Sequence, residues 1–127
     1  MTDETEPRPQ IVILCADLMF QSQITGAARL QGFSFRCALS LAQAIGQLTD
    51  EFPQLLIIDL NQPGMNWEQL TETLQNHPKL SSIAYGPHVD TDKLQQARDA
   101  GCDQVLPRSQ FSANLPQLLQ NAFTTDA

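Results

Sequence analysis

The stretch "LLIIDLNQPGM", Leu55 to Met65, runs four aliphatic residues straight into Asp59 and then places Pro63 and Gly64 four and five positions further on. A short apolar run bounded by turn residues predicts a strand buried on both faces, as in a parallel sheet. A carboxylate at the end of such a strand is costly to bury unless it is hydrogen-bonded, paired or bound to a metal. Asp59 is therefore either a structural cap or a reactive group, and the flanking sequence has to decide between them.

Working outward, "QIVILCAD" is a second continuous apolar run and stops at Asp17. From Met19 to Leu30, Phe20, Ile24, Ala27 and Ala28 recur at helical spacing, and Gly32 can close the helix in the left-handed conformation. "FSFRCAL" predicts a strand. Ser40 with Gln43, and Asn66 with Gln69, have the spacing of capping boxes at two helix starts. Pro53 stops the first of these helices, and Leu70 and Leu74 face inward from the second. "SSIAYG" is a brief strand broken by Gly86 and Pro87. Asp90 or Thr91 caps a helix around Leu94 and Ala97 that ends at Gly101, and "DQVLP" is a fifth strand. Leu115, Leu118, Leu119 and Phe123 form the apolar face of one last helix.

Five strand-then-helix repeats imply an α/β, doubly wound parallel sheet with helices on both faces and right-handed crossovers. Reactive groups in such folds gather at the carboxyl ends of the strands. Asp17, Asp59, Gly86 and the Pro107-Arg108 pair all fall there.

The 127 residues suit one domain: a short disordered arm over residues 1–9, then a single domain over 10–124. No apolar run approaches the roughly 20 residues of a membrane span, and the acidic N-terminus lacks the features of a secretory signal. Seven basic residues against fourteen acidic ones give a net charge of −7. The basic residues are scattered, so the patch that phosphate-backbone binding needs is missing and direct nucleic-acid binding is not expected. Cys15, Cys37 and Cys102 are an odd number without metal-site spacing, which points to a reducing cytoplasm.

From about Gln10 to Phe123 the chain resembles the receiver domains of bacterial response regulators, the CheY-like superfamily. "LLIIDLNQPGMN" matches the family's aliphatic run, acceptor Asp, Pro at +4, Gly at +5 and Met at +6. "ARDAGCDQVLPRSQF" resembles its segment of alanine-rich helix, Gly, Asp, strand and Lys-Pro, and Arg108 follows Gly86 by the family's 22 positions. The resemblance implies a flavodoxin-like (βα)5 fold, a three-layer sandwich with strand order 2-1-3-4-5, and a place in two-component signalling or phosphorelay. It implies that Asp59 is the phosphoacceptor position, that Gly86 and Arg108 hold the phosphoryl-contact positions, and that the metal positions fall on Asp17, Asp59 and Asn61.

The pattern is degenerate. The acidic pair after strand one falls on Cys15-Ala16 or Ala16-Asp17, Gly86 has no hydroxyl, Arg108 replaces Lys, and Val105 sits at the aromatic switch position. Losing a carboxylate weakens a Mg²⁺ site, and losing the hydroxyl removes a charge-assisted bond of about 1.5 to 3 kcal/mol. Arg108 could instead form a permanent bidentate pair with Asp59 or Asp17.

The expectation is thus a stand-alone pseudo-receiver: not an enzyme, needing no cofactor, and docking through its last two strand-helix units on a protein such as a histidine kinase or another regulator, as a monomer or weak homodimer. The alternative is a receiver phosphorylated on Asp59 with Mg²⁺ at a relaxed site. A remoter alternative is redox sensing by Cys15, with its pKa depressed by Arg108. An aspartate-based hydrolase is disfavoured, because the second acid it needs falls on Asn61. The bland readings stand beside these: Asp17 as a helix cap, Asp59 as an acceptor of loop hydrogen bonds, and Cys15 as a small buried residue. His88 lies at the mouth of the pocket, His77 serves a helix end, and Trp67 either packs or contacts a partner.

Overall fold

A computed structural model describes residues 7–124. The strands are β1 (Ile11–Leu14), β2 (Phe35–Ala38), β3 (Gln54–Asp59), β4 (Leu80–Gly86) and β5 (Gln104–Pro107). Between and after them run α1 (Leu18–Leu30), α2 (Leu41–Ile45), α3 (Trp67–Asn76), α4 (Thr91–Ala100), α5 (Arg108–Ala113) and α6 (Leu115–Ala122). All four strand pairings are parallel, in the order β2-β1-β3-β4-β5. This is the expected α/β architecture and strand order. No helix of the described residues is long and apolar enough to cross a membrane.

The alternation of side chains along a strand divides the interior into two layers. Ile11, Ile13, Leu55, Ile57, Ile83 and Tyr85 face α1, α5 and α6, meeting Phe20, Ile24, Phe111 and Leu119. Val12, Leu14, Leu56, Ile58 and Ala84 face α2, α3 and α4, meeting Leu41, Leu70, Leu94 and Ala97. Strands buried on both faces explain why β1 and β3 read as unbroken apolar runs.

The helix starts follow the sequence. Ser40 Oγ accepts from Gln43 N, Asn66 Oδ1 from Gln69 N, and Asp90 Oδ1 from Lys93 N. Gly101 closes α4 at φ 103°, in the left-handed region where a side chain would be strained.

Two expectations are corrected. The single last helix is two: Asn114, at φ −112° and ψ 13°, leaves helical geometry between α5 and α6, and Pro116 stands in the first turn of α6. The arm expected over residues 1–9 does not take in Arg8 and Pro9. Arg8 Nη1 donates to Gly46 O at 2.8 Å, and Pro9 O accepts from the buried Gln54 Nε2 at 2.8 Å, so the segment from Arg8 is tied to the domain. Residues 1–6 lie outside the described residues.

Gln54 pins three segments together. Its amide also donates to Gln47 O at 3.0 Å, and its Oε1 accepts from Thr49 N at 2.8 Å.

Candidate functional site

Register and strand parity build the site. Asp59 pairs directly with Tyr85 across β3 and β4, and Cys15 follows Leu14, the partner of Ile58. Cys15, Asp59 and Tyr85 share the odd-numbered parity of their strands, so all three project toward the α1 and α5 layer at the carboxyl end of the sheet.

Asp59 is 2% exposed. Its Oδ1 accepts from Asn61 N at 2.9 Å, and the Cys15 thiol reaches its Oδ2 at 3.6 Å. The same sulfur lies 3.4 Å from Asp17 O, so one thiol proton is shared between two acceptors. Tyr85 Oη donates to Cys15 Sγ at 3.1 Å. The tyrosine ring is held by Phe111, stacked at 4.5 Å between centroids, and by Phe20 at 4.9 Å. Tyrosine, cysteine and aspartate therefore form one buried hydrogen-bonded row, clamped by aromatic packing.

Burial is the largest influence on Cys15. It pushes the thiol above its ordinary 9.0, helped by the charge of Asp59 and opposed by the bonds from Tyr85 and to Asp17. Burial likewise raises the Tyr85 hydroxyl, with Cys15 and Asp59 adding to the effect and Arg108 opposing it. A reactive cysteine needs a thiolate in an electropositive, accessible place. Cys15 is 1% exposed and held protonated. The redox alternative required a depressed pKa, and burial shifts the thiol in the opposite direction.

Arg108 is the second correction. It forms no ion pair with Asp59 or Asp17 among the described residues. Its guanidinium lies over the Phe20 ring, 5.3 Å from the centroid. Being the first residue of α5, it sets off toward a cleft of about 400 Å³ lined by Phe20, Pro87, His88, Arg108, Ser109 and Ser112, which does not include Asp59.

The metal positions fit Mg²⁺ poorly. Asp17 is the N-cap of α1: its Oδ1 accepts from Met19 N at 3.0 Å and Phe20 N at 3.1 Å. Asn61 is exposed on the loop after β3. A hard cation wants several oxygen ligands converging on one point, and no group of three His, Cys, Asp or Glu able to hold a metal occurs among the described residues. The capping role weighed for Asp17 is the one the geometry displays.

Gly86 ends β4 beside Pro107 of β5. A Cβ there would stand 3.2 Å from Leu60 Cβ, so the residue is glycine for close packing against the loop after Asp59. Tyr85, which the local sequence pattern does not mark, brings a hydroxyl to the row through its bond to Cys15. Its one signal is that it is the only tyrosine of the chain, set within an apolar strand.

The remaining candidates lie apart from the row. His88 is exposed in the loop after β4 and joins the cleft with Arg108. His77 Nδ1 is 2.8 Å from Thr73 O at the end of α3, and Trp67 is half-buried, packing on the second core layer. Val105, at the switch position, is half-buried against that same layer.

No family model matches the chain. Among curated proteins it is 34% identical over 81 residues, 63% of its length, to the transcriptional activator protein ExaE of Pseudomonas putida, and the match spans 38% of that protein. Among solved structures it is similar to the receiver domain of NtrX from Brucella abortus, with a TM-score of 0.75 at 18% identity over 91% of this chain and 99% of that one. A response regulator from Thermotoga maritima gives 0.74 at 14% identity, covering 92% and 98%. The CheY-like receiver domain protein from Methanospirillum hungatei JF-1 gives 0.72 at 17%, covering 87% and 90%. The fold is that of the CheY-like receiver domains.

Proposed function

We propose that this chain, a receiver domain by its fold, serves two-component-type signalling as a protein-interaction module that works without phosphoryl transfer to Asp59. The observation that carries the reading is the closure of the acceptor. Asn61 N and the Cys15 thiol each donate to one of its two oxygens, Tyr85 stands behind the thiol, and the residue is 2% exposed. A phosphoryl acceptor must present an oxygen in line with the donor, beside cations that neutralise the moving charge. Here Asp17 is turned to helix capping and Arg108 to Phe20.

On this reading the domain is not an enzyme and needs no cofactor. Its partner is a protein such as a kinase or another regulator, its place is the cytoplasm, and β4 to α6 supply the docking face. The likeness to part of a transcriptional activator supports a role in a regulatory pathway. Intact mass after incubation with Mg²⁺ and a small acyl-phosphate donor tests the proposal, with an Asp59→Asn variant beside the wild type. Neither protein should gain a phosphoryl group; a gain confined to the wild type would establish the phosphoacceptor reading instead.

That second reading draws on one observation. Asp59 stands at the carboxyl end of β3, on a loop that turns through Gly64 at φ 70°, where the acceptor of a working receiver stands.

A further inference from the structure

Arg108, one of the two phosphoryl-contact positions, faces a cleft whose lining does not include Asp59. The residue is half-buried, and its guanidinium makes no hydrogen bond or ion pair among the described residues: Nε is enclosed, and the terminal Nη groups are the ones an incoming acceptor can meet. A charged donor set with no protein partner gains a charge-assisted bond when an acceptor arrives. Stacking on Phe20 uses the face of the guanidinium and leaves its in-plane N–H groups available.

The rest of the wall narrows the ligand. Phe20 and Pro87 are apolar, and Ser109 and His88 are exposed and polar at the rim. The Ser112 hydroxyl donates to Gln23 Oε1 at 3.1 Å, so toward the cleft it offers an acceptor and no proton. No carboxylate lines the space. Its volume, about 400 Å³, lies within the range of small-molecule sites.

We propose that this cleft binds a small organic acid, its carboxylate gripped by the Arg108 fork and its hydrocarbon body laid against Phe20 and Pro87. The guanidinium matches a planar carboxylate in two parallel bonds. The apolar wall adds affinity for a ligand that carries a body as well as a charge. Asp59 does not line the site, which would let the module respond to a metabolite without phosphorylation.

Phenylacetate is the probe, with acetate and inorganic phosphate as comparisons. The readout is the NMR shifts of the Arg108 Nε–H and of the His88, Ser109 and Ser112 amides in the full chain. Saturable shifts at these positions are expected, with phenylacetate binding several-fold more tightly than acetate or phosphate. Arg108→Gln should weaken binding about tenfold or more. Arg108→Lys, which keeps the charge and loses the fork, should weaken it too, whereas Lys79→Gln on the exposed turn before β4 should leave it unchanged. Absence of saturable shifts, their survival in both Arg108 variants, or equal binding of all three anions would overturn the proposal.

Discussion

The Cys15 sulfur lies 3.6 Å from Asp59 Oδ2 and covers the buried carboxylate at the end of β3. The same sulfur accepts from Tyr85 Oη, so one side chain serves two buried polar neighbours. Replacing Cys15 by Ala strips a donor from Asp59 and an acceptor from Tyr85. Leaving a buried group unsatisfied costs about 1 to 3 kcal/mol. Cys15→Ala should lower the urea-unfolding free energy by that amount, and an unchanged midpoint would deny the row any structural weight.

Gln54 tests the other end of the sheet. Its three hydrogen bonds hold Pro9, Gln47 and Thr49, and Leu at this position fills similar space without any of them. Gln54→Leu should cost at least about 2 kcal/mol in urea unfolding, and the segment before β1 should become accessible to protease.

Restoring a hydroxyl at the end of β4 should not restore a working site. Gly86→Ser brings a Cβ to 3.2 Å from Leu60 Cβ, and overpacking of this kind costs about 1 to 3 kcal/mol. Leu60→Gly in the same chain removes that Cβ and relieves the contact, so the double variant should lose less than the sum of the two single ones. Strict additivity would remove the close approach as the reason for glycine.

Cys102 sets a pH limit on stability. Burial, aided by the charge of Asp103 and opposed by a bond with Ser82, raises its thiol from 9.0 to about 11. A group whose pKa is higher in the folded state than in the unfolded chain contributes stability that is complete below the unfolded value and is lost as pH climbs through the folded one. Unfolding free energy should therefore hold up to about pH 9 and fall toward pH 11. A Cys102→Ser variant should show a shallower fall across the same window.

Much of this architecture is written locally. Apolar runs announce the central strands, and Asp17, Ser40, Asn66 and Asp90 announce helix starts, because caps and periodicity act within a few residues. The break at Asn114 escaped that logic: Arg108 to Ala113 carry Phe111 as their one buried anchor, too little periodicity to mark a separate turn of helix. The site was legible only at Asp59. Tyr85 becomes part of it through its register with Asp59 and the reach of its ring beneath Cys15, and both are long-range facts. Arg108 could pair with a carboxylate in sequence, but Phe20 presents a ring to its guanidinium, and it forms no ion pair among the described residues.

The closure of Asp59 is the central claim, and the backbone amides of Asp59, Asn61 and Arg108 report on it directly. NMR spectra recorded with Mg²⁺ alone and then with Mg²⁺ and beryllofluoride, a phosphoryl mimic, should superimpose at these three amides on the spectrum of the untreated protein. A second set of Asp59 and Asn61 resonances growing with beryllofluoride, in the wild type and not in Asp59→Asn, would show that the carboxylate opens to an incoming phosphoryl group and would contradict the account.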